Sequence, residues 1–149
     1  MNAEQQTILA VEDSDDDVAL ISRAFRKAAI SNPLRFVSDG EQAVDYLKGE
    51  GQFSDRQRSP LPSLILLDLK LPRKSGLEVL EWVRSQPVLK RIPIVVLTSS
   101  KQSSDLERAY DLGVNSYLVK PVAFDDLLEM IKALKLYWIH FNEIPRNAQ

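Results

Sequence analysis

Four short stretches of this chain carry residue types able to do chemistry: Glu12-Asp13, Asp68, Thr98 and Lys120. Each stands immediately after a short apolar run: Ile8 to Val11, Leu64 to Leu67, Ile94 to Leu97 and Tyr117 to Val119, respectively. Carboxylates crowded into a small volume repel one another and favour a cation among them. Oxygen ligands without nitrogen or sulfur suit magnesium, which uses one or two carboxylates and keeps several waters. Such an ion can bridge to a phosphoryl oxygen and neutralise charge as it develops. One carboxylate can then act as nucleophile and form an acyl phosphate. A lysine is a point-charge partner for phosphoryl oxygens, and a threonine hydroxyl can donate to another. No general base is needed, because carboxylates are ordinarily ionised at neutral pH.

The composition excludes most other chemistries. The chain has no cysteine, so disulfides, thiolate metal sites and cysteine nucleophiles are ruled out. Its single histidine is His140, which excludes a histidine zinc cluster and a Ser-His-Asp triad in the body of the chain. A net charge of -2 gives no global basic field to attract nucleic acid. No apolar run approaches the roughly 20 residues that span a bilayer. Met1 to Thr7 is polar and lacks the layout of a secretory signal. Together these features lead us to expect a cytoplasmic protein.

The elements that must position the four stretches follow from hydrophobic spacing. A further apolar run, Leu34 to Val37, is the most polar of the five and is expected near a sheet edge. Between the runs lie helical patterns. Val18, Ile21, Ala24, Phe25 and Ala28 follow i, i+3, i+4 spacing behind an N-cap at Ser14 or Asp15. Ala43, Val44 and Leu47 follow Asp39-Gly40-Glu41; Leu77, Val79, Leu80 and Val83 stop before Pro87. Leu106, Ala109, Tyr110 and Leu112 close on Gly113, and Leu127, Leu128, Ile131, Leu134 and Leu136 mark the last helix. Short buried strands alternating with helices predict a doubly wound, five-stranded parallel α/β sheet with helices on both faces. In such sheets ligands bind beyond the carboxyl ends of the strands, where strand order reverses. The candidate residues all fall there.

Gly49 to Ser63 is rich in Gly, Pro, Ser and charge and reads as a long surface loop. The 149 residues are expected to form one domain, with a core over about 7–136 and a C-terminal helix and tail over 137–149.

Taken together, Glu12-Asp13, Leu66-Leu67-Asp68, Leu71-Pro72, Gly76, Thr98 and Lys120-Pro121 resemble the receiver domains of two-component response regulators, over roughly Thr7 to Leu136. The resemblance implies Asp68 as phosphoacceptor, Asp13 as direct magnesium ligand and Glu12 as a ligand largely through water. It implies that Lys70 lends the metal its backbone carbonyl, that Thr98 is the switch hydroxyl, and that Lys120 pairs with the phosphoryl group. Tyr117 stands at the aromatic switch position, and the peptide before Pro121 is expected to be cis. Many relatives carry Asp where this chain has Glu12; both supply carboxylate oxygens. A narrower resemblance, in the long loop, in Leu71-Pro72-Arg73-Lys74 and in the tail, is to the small response regulators paired with cyanobacterial phytochromes. It implies a light-regulated histidine kinase as phosphodonor and a homodimer. No helix-turn-helix pattern follows the receiver. The competing function is a hydrolase of the aspartyl-phosphate type; those enzymes place a second acid two residues after the nucleophile, where this chain has Lys70.

Structural readings stand beside these. Asp15, Asp16 and Asp17 read as a solvated helix start, favoured by the helix dipole. An EF-hand counted from Asp13 fails, because positions six and twelve are Val18 and Ala24. Ser99 and Ser100 are expected to have no role, Tyr117 could be core packing, and His140 reads as a surface or interface residue. Leu134, Leu136, Tyr137, Trp138, Ile139 and Phe141 give the last helix more apolar surface than one sheet face needs. The surplus marks a dimer interface or a tail folded back on its own domain.

Overall fold

The computed structural model describes residues 6–145. Its strands are β1 (Ile8–Val11), β2 (Leu34–Val37), β3 (Leu64–Leu67), β4 (Ile94–Thr98) and β5 (Ser116–Val119). Its helices are α1 (Asp15–Lys27), α2 (Gly40–Lys48), α3 (Gly76–Ser85), α4 (Ser103–Asp111) and α5 (Phe124–Leu134). All strands pair in parallel, in the order β2-β1-β3-β4-β5. The polar run Leu34–Val37 is an edge strand, as its composition suggests.

The apolar runs are continuous because both sheet faces are covered. Successive side chains point to opposite faces. Leu9, Val11, Ile65, Leu67 and Val96 enter a core shared with Ala43, Leu47, Val79, Leu80, Val83 and Ala109 of α2, α3 and α4. Ile8, Ala10, Leu64, Leu66, Val95 and Leu97 enter the other, against Ile21, Ala24 and Phe25 of α1 and Leu127, Ile131 and Leu134 of α5. Each large apolar side chain so buried contributes about 1.5–3 kcal/mol.

Local chemistry sets the helix ends. Ser14 caps α1 by accepting from Asp17 N, Asp39 caps α2 through Gln42 N, and Ser75 caps α3 through Glu78 N. Gly49 ends α2 with φ +73°, a left-handed position suited to glycine. The segment from Gly49 to Ser63 has one short 3-10 turn, Gly51–Phe53, and is pinned by Arg56. The Arg56 guanidinium donates to the carbonyls of Tyr46 (2.7 Å), Leu47 (2.7 Å) and Ser59 (3.0 Å). It thereby supplies a charged donor to two carbonyls of the last turn of α2, of which Tyr46 O also accepts from Gly49 N at 3.1 Å.

Beyond α5 the chain continues as a π-helical segment, Lys135–Phe141. Ile139 is buried and Trp138 packs against the α1/α5 core, while Leu136, Tyr137 and Phe141 are exposed. The tail thus divides: part returns to its own domain and part leaves apolar surface outside. His140 is exposed. No helix among the described residues is long and apolar enough to cross a membrane.

Candidate functional site

The order β2-β1-β3 reverses the direction of winding between β1 and β3, and the site lies at that junction. Register places its first members. Val11 pairs with Leu67, so the next residues, Glu12 and Asp68, leave the sheet side by side. Asp68 N donates to Val11 O at 3.1 Å, and Glu12 N donates to Val37 O at 3.0 Å, fixing both backbones. Glu12, Asp13 and Asp68 each bring a carboxylate oxygen to within 4.8 Å of the others. Glu12 and Asp68 are buried, at 3% and 6% exposure, while Asp13 is exposed.

Lys120, the first residue after β5, closes the group. Its ammonium donates to Glu12 Oε2 (2.5 Å), Asp17 Oδ2 (2.9 Å) and Asp68 Oδ2 (3.0 Å). Burial pulls the lysine pKa down, but the hydrogen bonds to Glu12, Asp17 and Asp68 outweigh it, and the group stays cationic well above the ordinary range. For Glu12 the balance is reversed. Burial, reinforced by the nearby Asp68, raises its pKa despite the Lys120 hydrogen bond that lowers it.

Asp17 is a finding the sequence concealed. It reads as one of three solvated acids at a helix start, yet it is one of the three carboxylates on Lys120. The turn spacing of α1 was the available signal: Asp17 lies one helical turn beyond Asp13, on the side facing the sheet edge.

Thr98 ends β4 and is fully buried. Its carbonyl accepts from Lys120 N at 2.7 Å, and its hydroxyl oxygen accepts from Ser100 N at 3.3 Å. Ser100, expected to have no role, is a junction. Its hydroxyl donates to Asp105 Oδ2 at 2.5 Å, and its carbonyl accepts from the Tyr117 hydroxyl at 3.1 Å. Tyr117 is therefore half-buried and tied to the loop that leaves Thr98, rather than merely packed in the core. Lys70 N donates to Asp68 Oδ1 at 3.3 Å, and Lys70 Nζ lies 3.2 Å from Asp105 Oδ2. The Ser100 hydrogen bond first, then Lys70, hold the Asp105 carboxyl below its usual range.

Two glycines press the loop after β3 into place. A Cβ on Gly76 would meet Asp68 O at 2.1 Å and Leu69 Cα at 2.6 Å; one on Gly40 would meet Lys74 O at 1.9 Å. Only the missing side chains allow α2 and α3 to approach the backbone that carries Asp68.

One expectation fails: the Lys120–Pro121 peptide is trans, as there is no cis bond among the described residues. The two isomers of an X-Pro bond differ by only about 0.5–1 kcal/mol, so the surrounding chain decides.

The donor set fits a hard divalent cation. It is all oxygen, it is anionic, and Asp13 opens it to solvent. Glu12, Asp13 and Asp68 are the residues able to hold one.

Comparison with known proteins agrees with this geometry. Residues 8–132 match the family described as response regulator receiver domain. The probable methanogenesis regulatory protein FilR2 of Methanothrix harundinacea is 41% identical over 144 residues, covering 95% of this chain and 88% of that one. Response regulator Rcp1 of Synechocystis sp. is 39% identical, covering 94% and 93%. A crystal structure of the Mn2+-bound form of Rcp1 superposes with a TM-score of 0.85 over 95% of this chain and 99% of that one. The phosphorylated cyanobacterial phytochrome response regulator RcpA, 37% identical, superposes with a TM-score of 0.88 over 95% and 99%. The sheet order, the acidic junction between β1 and β3 and these matches lead to one conclusion: the chain belongs to the response regulator receiver family, the phosphoacceptor proteins of two-component signalling.

Proposed function

We propose that Asp68 is the phosphoacceptor and that Glu12, Asp13 and Asp68, with the backbone carbonyl of Lys70, hold Mg2+. The observation that carries this is the close approach of three carboxylates, within 4.8 Å, with the Lys120 ammonium 3.0 Å from Asp68 Oδ2. Magnesium, when bound, would neutralise charge on the transferring phosphoryl group. An Asp68 carboxylate oxygen attacks phosphorus, the bond from phosphorus to the donor's histidine nitrogen breaks, and that nitrogen keeps the electron pair. Lys120 then exchanges carboxylate oxygens for a phosphoryl oxygen, and the Thr98 hydroxyl donates to another. Movement of Thr98 draws on the loop that holds Tyr117 through Ser100, shifting a pre-existing equilibrium at the surface near α4 and α5. The protein is a switch and no enzyme beyond slow loss of its own phosphoryl group.

The proposed donor is a cytoplasmic sensor histidine kinase of the phytochrome type. Support comes from the likeness to RcpA, a phytochrome response regulator, over nearly the whole chain. The proposed readout is a homodimer through the exposed Leu136, Tyr137 and Phe141. A hydrolase reading has nothing in its favour, since Lys70 stands where a second acid is required and its ammonium is paired with Asp105.

Incubation with Mg2+ and a small acyl-phosphate donor is expected to label one site, and Asp68→Asn to abolish the label. Labelling that survives this substitution would refute the assignment. Sedimentation before and after labelling reads the dimer.

A further inference from the structure

Lys120 has three carboxylate partners, but they are not equivalent. Glu12 and Asp68 belong to the trio able to share a cation; Asp17 lies outside it. A divalent ion among Glu12, Asp13 and Asp68 must share two carboxylates with an ammonium already on them. Cations that close repel, and a buried ammonium deprived of partners is strongly disfavoured. Of the three anchors, Asp17 is the one that such an ion leaves free.

The start of α1 is built to release Asp17 for this. Ser14 and Asp17 stand as N-cap and third helical residue, and the Ser14 hydroxyl accepts from Asp17 N at 3.3 Å. In a reciprocal capping box the acid at the third position would reach back to the N-cap N–H. Here Glu12 Oε1 accepts from Ser14 N instead, at 3.2 Å. The Asp17 carboxylate is thus free to turn to Lys120 while the cap fixes its backbone.

We propose that Asp17 is a positioning residue that holds the Lys120 ammonium while Glu12 and Asp68 turn to a divalent cation, keeping the lysine charged, partnered and beside Asp68 for the incoming phosphoryl group. The inference rests on the reading of Glu12, Asp13 and Asp68 as the cation site.

The test is a double-mutant cycle on the full, unphosphorylated chain. Mn2+ binding is followed by loss of the free-ion electron paramagnetic resonance signal, with Mg2+ as competitor. Asp17→Asn is expected to weaken binding roughly three- to tenfold, the size of coupling typical of residues in contact. Asp17→Glu restores most of the affinity, and Asp17→Ser repeats the loss with a different helix-start residue. In a Lys120→Gln background, Asp17→Asn changes affinity less than about twofold, because its effect runs through the lysine. An equal loss in both backgrounds, or none in either, overturns the proposal. If the wild-type chain binds no Mn2+, or Asp68→Asn leaves the affinity unchanged, the cation site itself is wrong and both readings fall. If those controls behave and only the cycle fails, the role of Asp17 alone is lost.

Discussion

Replacing Gly76 by alanine sets helix propensity directly against the geometry of the site. Gly76 is the first residue of α3, and no left-handed φ requires glycine there. In a helix, alanine is favoured over glycine by about 0.5–1 kcal/mol. Against this, the new methyl would lie 2.1 Å from Asp68 O, 2.6 Å from Leu69 Cα and 2.9 Å from Asp68 C. All three are backbone atoms at the end of β3, so no side chain can swing away. The contact with Asp68 O is more than about 1 Å too close, and overpacking of this kind costs about 1–3 kcal/mol or more. Because Gly76 N also donates to Leu69 O at 3.0 Å, a compensating shift strains that bond too. The steric term wins, leaving a net loss of about 2 kcal/mol. For a chain of this size that lowers Tm by roughly 4–8 °C. Thermal unfolding by circular dichroism measures it. The shift that relieves the clash moves Asp68, so acyl-phosphate labelling should slow in parallel. Gly76→Ala with wild-type or higher Tm would show that the β3–α3 connection is soft and does not clamp Asp68.

Other outcomes are expected. Asp105 has a depressed folded-state pKa, so the stability it supplies is complete above its ordinary value of 3.8 and is lost as pH falls toward the lower folded value. Asp105→Asn should therefore flatten the fall of Tm as pH drops below its ordinary value of 3.8; parallel wild-type and variant curves would count against the Ser100–Asp105–Lys70 network. Arg56→Ala leaves the Tyr46, Leu47 and Ser59 carbonyls without their charged donor. A loss of about 2 kcal/mol is expected in urea unfolding, with faster proteolytic cleavage between residues 49 and 63; an unchanged cleavage rate would show that Arg56 does not pin that segment.

The fold was readable because β1, β3 and β4 are short apolar runs with both faces buried, so no polar alternation obscured their limits, while β2 and β5 are only partly buried. The runs beginning at Ile8, Leu34 and Leu64 match their strands end to end, and Ile94–Thr98 differs only by including Thr98 itself. Glu12, Asp13, Asp68 and Lys120 were readable for a related reason: in a parallel sheet, position after a strand fixes position in space. What stayed hidden depends on side-chain direction across elements. Asp17 looks like Asp15 and Asp16 in a linear sequence, and only the rotation of α1 against β5 separates them. Ser100 and Asp105 meet because the β4–α4 loop folds back, which no spacing rule predicts. Arg56 acts on carbonyls of another element and leaves no pattern. The dividing of the tail between a buried Ile139 and an exposed Phe141 reflects a change of helical pitch after α5, invisible to a count at 3.6 residues per turn.

Lys120 and Tyr117 are joined by a short run of hydrogen bonds at the rim of the sheet. Strands lie about 4.8 Å apart, so β5 is on the order of 10 Å from β3 and 14 Å from β1. A lysine can bridge part of that gap only along the rim, beyond the strand ends. Its direction is set by the pairing of Thr98 with Val119, and a one-residue slip would send it to the opposite face. The same pairing ties its backbone to Thr98 O at 2.7 Å. From Thr98 the path runs to Ser100 N, and from the Ser100 carbonyl to the Tyr117 hydroxyl. The ammonium and the tyrosine are thus two ends of one β4–β5 frame joined by a short loop. Withdrawing Lys120 from Glu12 and Asp68 must either leave that frame unmoved, in which case Tyr117 keeps its hydrogen bond, or displace the Ser100 loop and release it. A packed frame of this kind favours discrete alternatives over gradual deformation, which is the physical requirement for a switch.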